Sequence, residues 1–458
     1  MSERFPSPVA SRSSDWKAFA AVGALWLLMG AAPTLSNLLS PETPHAAARH
    51  AQAQAVAAMP TPKPLAPGPE ALRVRLEDIA KRFGGKVGIA VADVDKSWIV
   101  SEAGDERFPQ QSVSKLWVAI AVLDAVDHGR LKLDQRFNMT RQDLSVFFQP
   151  IARKVGPNGY SVSLDELLQR AISDSDNAAN DMLIRVMGGP GPITALIRRK
   201  GLRDVRVGYE ERVLQSKMAG MVWKPEYAGS ILFREVRAAL PGAVRDQAMA
   251  AYLADPPDAA TPIGMAEGLR RLKRGELLSK ASTDRLLEIM SETRNGPKRL
   301  KGGLPEGWRI SHKTGTGQDL RNYTVGYNDV GVITAPDGHS YAVAVFIAKT
   351  THGIPARMAF MQEVSEAVAQ TWSGSLGQAP AASAPKPELK AEDDLTPERP
   401  EPAPKPHGRV HAKVAAHAAP VAHHRAARKA SAKARKAPVK RAAAKKAPAK
   451  KARHRASR

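Results

Sequence analysis

The chain predicts an α+β fold in which one antiparallel sheet is flanked by the terminal helices and an all-helical lobe is drawn from the middle. Three observations carry this reading. Strand-like stretches sit near both ends of the globular region, "GKVGIAVADVD" and "SWIVSEAG" early, then "WRISHKTGTG", "NYTVGYNDVGVITA" and "YAVAVFIAKT" late. Between them the apolar residues recur at helical rather than alternating spacing. Helices open and close the region, so strands from both chain ends must meet in one layer.

The first helix is "PEALRVRLEDIAKRF", where Leu72, Leu76, Ile79 and Phe83 form one face. The two early strands follow, joined by a short turn. "FPQQSVSKLWVAIAVLDAV" is apolar nearly all round from Leu116 onward, which marks a core helix. "SLDELLQRAIS" begins with a capping box, Ser163 with Glu166, because the serine hydroxyl and the glutamate each satisfy a backbone N–H left over at a helix start. "NAANDMLIRVMGG" is a further helix closed by glycines, and "ITALIRRKG" another. Two of the late strands are linked by the turn residues "PDG". "ARMAFMQEVSEAVAQTW" ends the domain.

Both ends have a different texture. "WKAFAAVGALWLLMGAAPTLSNLL" has an apolar run after Lys17 and small residues around Gly30 to Ala32, the layout of an export signal. The run over 18–35 also approaches the ~17–25 residues of a membrane span, so a cleaved signal peptide and an uncleaved inner-membrane anchor both fit. Either places the catalytic part in the periplasm or outside the cell. Residues 41–68 are a Pro/Ala-rich linker with nothing to pack against. Residues 374–458 form a disordered tail by composition, and 405–458 hold 18 Lys or Arg without one acid. That stretch carries +18 of the net +23, leaving a mildly basic +5 elsewhere. The organisation is therefore signal or anchor over 1–40, linker over 41–68, catalytic domain over 69–373, and basic tail over 374–458. Anionic envelope polymers or a membrane surface are the tail's expected partners, and export argues against nucleic acid. With no cysteine there is no disulfide, no thiolate nucleophile and no Cys-based metal site. Six of the twelve histidines lie in the tail and no H-x-E spacing appears, so neither a metal nor any other cofactor is expected.

Ser112 and Lys115 stand three apart at the head of the core helix. Residues i and i+3 on a helix are neighbours, with Cβ atoms about 5–6 Å apart, so the amine can reach the hydroxyl. A capping serine beside a surface lysine would give the same letters, and S-x-x-K recurs at Ser14/Lys17 and Ser383/Lys386. Two further motifs decide between these. Ser175-Asp176-Asn177 falls in a loop between two predicted helices, and Lys313-Thr314-Gly315 on a predicted edge strand. The ordered triplet S-x-x-K, S-D-N, K-T-G is the signature of serine acyl-transfer enzymes of the class A β-lactamase and penicillin-binding kind.

Over roughly residues 69–373 the chain resembles the class A β-lactamase family well beyond the triplets, through "ERFPQQSVSKLWVAIAVLDAVDHGRLKLDQ", "AISDSDNAANDMLIRVMGGPGPITAL" and "TPIGMAEGLRRLKRGELLS". The resemblance implies Ser112 as acylated nucleophile and Lys115 as its activator. It implies Ser175 as proton shuttle to the lactam nitrogen, Asn177 as holder of the substrate's side-chain amide, and Lys313 with Thr314 on its carboxylate. The oxyanion hole would be the backbone amides of Ser112 and Thr316, beyond Gly315, and Phe148 would be the gatekeeping aromatic. "GYEERVLQSKMAG" supplies the family's E-x-x-L-N loop as Glu211-x-x-Leu214-Gln215, with Gln215 replacing asparagine and Glu210 as competing acid. Glu211 would activate the deacylating water. An insertion of roughly thirty residues falls within about 216–258. The function expected is an exported serine hydrolase opening the β-lactam amide. A peptidoglycan D-alanyl-D-alanine peptidase, binding a peptide stem, and a non-catalytic envelope-binding module are the alternatives.

Overall fold

The computed structural model describes residues 65–377 and 388–394. The proposed signal or anchor, most of the linker and most of the basic tail lie outside the described residues; within the tail, expected to be without structure, Ala391–Asp393 forms a 3₁₀ turn. Among the described residues no helix is long and apolar enough to cross a membrane.

A helix α1 (Glu70–Phe83) leads into strands β1 (Lys86–Asp93) and β2 (Trp98–Glu102), and the late strands are β3 (Arg309–Thr316), β4 (Tyr323–Thr334) and β5 (Ser340–Thr350). Their order in the sheet is β2-β1-β5-β4-β3, all antiparallel. Chain ends thus meet at the β1–β5 pair, as expected. Ala66–Pro67 adds a short parallel edge beyond β2, and Asp319–Leu320 a short strand on β4. The sheet is not solvated on either face. Along β5, Ala342, Ala344, Phe346 and Ala348 face a core shared with the helical lobe, while Val343, Val345 and Ile347 face the terminal helices. Strands buried on both faces read as nearly continuous apolar runs.

On that second face Leu72, Leu76 and Ile79 of α1 meet Phe360, Met361, Val364 and Val368 of the C-terminal helix Ile354–Ser373. On the first face the core helix α2 (Lys115–Asp127) is buried on all sides, and Trp117 donates its indole N–H to Gln110 Oε1 at 2.7 Å. The lobe continues as α3 (Leu164–Gln169), α4 (Asn177–Val186) and α5 (Pro190–Arg199). It also holds a two-stranded pair, Arg136–Met139 with Tyr160–Ser163, so it is mainly rather than wholly helical. The capping box reading holds in part: Ser163 Oγ accepts from Glu166 N–H at 3.1 Å, but the Glu166 carboxylate turns to Arg170, Lys154 and Tyr160.

The stretch carrying Glu211 is not a loop. It is the helix α6 (Glu211–Met218), and the insertion behind it folds as α7 (Leu232–Ala239) and α8 (Gly242–Ala254). Two small clusters hold the insertion down. Phe233 and Tyr227 pack with Val146 and Phe147, and Met249 and Tyr252 pack with Leu214, Met218, Leu320 and Val325.

Candidate active site

Ser112 lies in a single 3₁₀ turn, Gln111–Ser114, that runs directly into α2. Gln111 before it holds φ at +53°, a left-handed backbone that costs a non-glycine residue about 1–3 kcal/mol. The surroundings over-determine that turn. Asp258 Oδ2 accepts the Gln111 N–H at 2.7 Å, and Asn328 Nδ2 donates to Pro109 O at 2.8 Å and Gln110 O at 3.0 Å. Gly315 is needed for the same contact. A Cβ there would stand 2.5 Å from Gln110 O, so only glycine lets the edge strand β3 lie against the turn that carries Ser112.

The three motifs converge on one hydroxyl, that of Ser175. Lys115 Nζ, wholly buried, is 3.0 Å from Ser112 Oγ, 2.6 Å from Asn177 Oδ1, 2.8 Å from Ser175 O and 3.3 Å from Ser175 Oγ. Lys313 Nζ reaches the same Ser175 Oγ from the other side at 2.9 Å and also donates to Thr314 O at 2.8 Å. Ser175 itself is left-handed, φ +62°, which turns both its carbonyl and its hydroxyl toward the two lysines. Asp176 fixes that turn by accepting from Ala179 N–H at 2.9 Å and Ile151 N–H at 2.7 Å. Burial raises its carboxyl to about 6. Asn177 has its Nδ2 on Val146 O at 3.0 Å, so both ends of its amide are engaged within the protein. Phe148 contributes its carbonyl, which accepts Asn177 N–H at 3.0 Å.

Glu211 completes the cluster. Its Oε1 is 3.7 Å from Lys115 Nζ and both side chains are essentially inaccessible. Its place at the start of α6 is set by Asp181, whose carboxylate accepts the Glu211 N–H at 2.5 Å, the Arg212 N–H at 3.2 Å and the Ser145 hydroxyl at 2.7 Å. This is a helix cap supplied from another helix, an acid satisfying orphan N–H groups. Burial, then the nearby Glu211 and Glu210, raises the Asp181 carboxyl to about 7. Glu210 points away, paired with Arg185 at 2.9 Å and Arg212 at 2.7 Å. Gln215, one turn on from Glu211, donates to Glu211 Oε2 at 3.3 Å.

Such an arrangement can take a proton from Ser112, hold it among Lys115, Ser175 and Glu211, and hand it on. The comparisons with known proteins bear on what chemistry uses it. The model of the β-lactamase enzyme family matches residues 71–372. This chain belongs to that family. Beta-lactamase VEB-1 of Pseudomonas aeruginosa is 29% identical over 282 residues, which are 61% of this chain and 83% of the relative. The crystal structure of a β-lactamase from Chitinophaga pinensis is 31% identical with a TM-score of 0.55, covering 66% of this chain and 99% of that one. An ancestral class A β-lactamase is 33% identical at TM-score 0.52, again over 66% and 99%. The family read from the motifs is therefore the family found.

Several residues of the cluster left no trace in the sequence. Asp181 and Asn328 are polar residues inside a helix and a strand, Gln318 lies in the short link after β3, and only their long-range partners give them meaning. Arg299 is another. Fully buried, it stacks 3.8 Å from the Tyr327 ring and donates to Gly315 O, Asn328 O and Thr316 Oγ1. The acid it holds is Asp394, Nε to Oδ1 at 2.9 Å and Nη2 to Oδ2 at 3.1 Å. Asp93, Asp95 and His339 have ligand atoms within 4.8 Å of one another, but His339 is already bonded to the Asp93 carboxylate at 2.8 Å.

Proposed function

We propose that residues 69–373 are an exported serine hydrolase that opens the β-lactam amide through an acyl-enzyme on Ser112. The observation that carries this is the single buried Lys115 amine within reach of Ser112 Oγ, Ser175 and Glu211 together. As a neutral amine Lys115 would give its two hydrogens to Asn177 Oδ1 and Ser175 O and aim its lone pair at the Ser112 hydroxyl. Attack by Ser112 Oγ places negative charge on the lactam oxygen, where the Ser112 and Thr316 amides would each be worth about 2.7–4 kcal/mol. As the C–N bond breaks, Ser175 Oγ passes a proton to the leaving nitrogen and is resupplied by Lys115 or Lys313.

Lys313 and Thr314 serve the substrate carboxylate, with Gly315 keeping the strand close. Asn177, Phe148 and Gln215 line the substrate side, Asn177 exchanging Val146 O for the substrate amide. In the second half Glu211 removes a proton from the water that attacks the ester, and Ser112 leaves with its proton restored. None of these steps calls on a metal or cofactor. The apolar run 18–35 supports delivery to the periplasm or cell exterior, by cleaved signal or by anchor. The +18 of residues 405–458 supports tethering to anionic envelope polymers or a membrane surface.

Mass spectrometry after mixing the protein with a penicillin tests the reading. Expected is a covalent adduct on Ser112 that disappears as product forms. No adduct, or one on another residue, overturns it; an adduct that persists for hours is the behaviour of a penicillin-binding peptidase instead.

A further inference from the structure

The insertion does not merely decorate the surface behind Glu211. A continuous line of buried polar groups runs from it into the site. Tyr252, on α8, donates its hydroxyl to the Asp258 carboxylate, with oxygen separations of 2.9 and 3.1 Å, and accepts from Gln111 Nε2 at 2.5 Å. The other end of that amide, Gln111 Oε1, accepts from Gln215 Nε2 at 3.2 Å, and the second hydrogen on Gln215 Nε2 goes to Glu211 Oε2 at 3.3 Å. Gln215 Oε1 is fixed in turn by Gln318 Nε2 at 2.9 Å, and Gln318 Oε1 by Arg237 Nε at 2.7 Å, from the other insertion helix α7.

Direction matters here. An amide can turn over and exchange its oxygen for its nitrogen, and a Gln215 turned over would present an oxygen to the Glu211 carboxylate. One fixed donor and one fixed acceptor prevent that: Gln318 gives its N–H only to an oxygen, and Gln111 offers Gln215 an oxygen only while its own N–H is taken up by Tyr252. Met218 Sδ, 3.4 Å from Gln111 Nε2, is a weak acceptor and no substitute for the phenol oxygen. Tyr252 cannot reverse its own role either. Burial, then the adjacent Asp258 carboxylate, holds the phenol well above its usual pKa, so it remains a donor to Asp258 and an acceptor for Gln111.

We infer that Tyr252, a residue of the insertion, is a positioning residue for deacylation: it orients Gln111 and, through Gln215, the carboxylate of Glu211. The inference rests on the serine-hydrolase reading above. It gives the roughly thirty extra residues a task in the second half of the reaction and none in the first. Acylation uses Ser112, Lys115 and Ser175, which Tyr252 does not touch. It also accounts for glutamine at position 215, whose extra methylene spans from the helix to Gln111 and Glu211 together.

Tyr252→Phe removes one oxygen and keeps the ring in its cluster with Leu214, Met218 and Met249. Single-turnover acylation by a penicillin should stay within about twofold of wild type, while release of the acyl group slows by about tenfold, the scale of one lost buried hydrogen bond. Steady state would show kcat and KM falling together at constant kcat/KM, with the adduct on Ser112 accumulating. Tyr252→Met, an unbranched apolar side chain that can fill the same cluster without the oxygen, should do the same and serves if the first variant folds poorly. Phe233→Leu loosens the insertion core without touching the relay; it should lower Tm and leave release unchanged. Release at the wild-type rate in Tyr252→Phe, or loss of release in Phe233→Leu in step with Tm, overturns the inference. A wild-type protein that never acylates would instead sink the serine-hydrolase reading itself.

Discussion

The two halves of the proposed mechanism are built in different ways. The acylation half, Ser112, Lys115, Ser175 and Lys313, comes from three short motifs, each placed by one local element: a helix start, a left-handed turn, an edge strand. The deacylation half, Glu211 with Gln215, Gln111 and Asp181, is held by contacts between residues 30 to 141 positions apart. In the first half local geometry sets the spacing within each motif, while Asp258 and Asn328, from far along the chain, hold the turn that carries Ser112. The second depends on how residues 216–258 fold.

Substitutions that separate the halves test this contrast. The largest effect belongs to Ser112→Ala, which should abolish both labelling by a penicillin and hydrolysis of a chromogenic cephalosporin. Any surviving label on the variant would mean that acylation is not confined to the motif half. Next is Glu211→Gln, nearly isosteric but unable to take a proton. Its acylation should persist while release slows by about 10²–10⁴-fold, the range for a lost general base. Equal losses in both steps, read by stopped-flow, would show that the halves share Glu211 for proton removal from Lys115.

A smaller effect is expected from Gly315→Ala, because its methyl group would meet Gln110 O and push β3 off the nucleophile turn. Overpacking of this kind costs about 1–3 kcal/mol. Thermal unfolding should register it, with the acylation rate falling and release little changed.

The smallest is a pH effect in the deacylation half. The Asp181 carboxyl sits at about 7 in the fold against an ordinary 3.8, so between those values the folded chain keeps a proton the unfolded chain has lost. The stability this contributes is fully present below about pH 4 and is lost as the pH rises through 7. Asp181→Asn should therefore flatten the fall in Tm between pH 4 and 7, by roughly 2–4 °C for each 1 kcal/mol removed. An unchanged slope would place the titration elsewhere, in Asp176 or Asp258, both raised to about 6 chiefly by burial.

The same contrast explains what could be read without coordinates. The strands were legible because burial on both faces leaves long apolar runs, and the core helix because Leu116 to Ala125 is apolar all round apart from Asp124. Ser112, Lys115, Ser175 and Lys313 were legible because they stand in three short motifs whose order matches a known signature. Glu211 was singled out through its similarity to a family pattern, and its helical setting was not, since the two turns of "ERVLQSKM" are as compatible with a charged loop. Tyr252 and Asp258 could only be counted as extra length. Nothing within ten residues of either one mentions Gln111. Arg299 and Asp394 were missed for the same reason, their partnership spanning 95 positions.

That last pair has a consequence for competition. Asp394 is joined by backbone to the C-terminal helix that ends at Ser373, so its meeting with Arg299 is unimolecular. A carboxylate on a short tether acts at an effective concentration of about millimolar, whatever the dilution of the protein. Any free carboxylate seeking the guanidinium beside Gly315 and Thr316 contends with that fixed occupant. Its half-saturation would not move with enzyme concentration, but would move once the chain between Gly377 and Glu388 were cut.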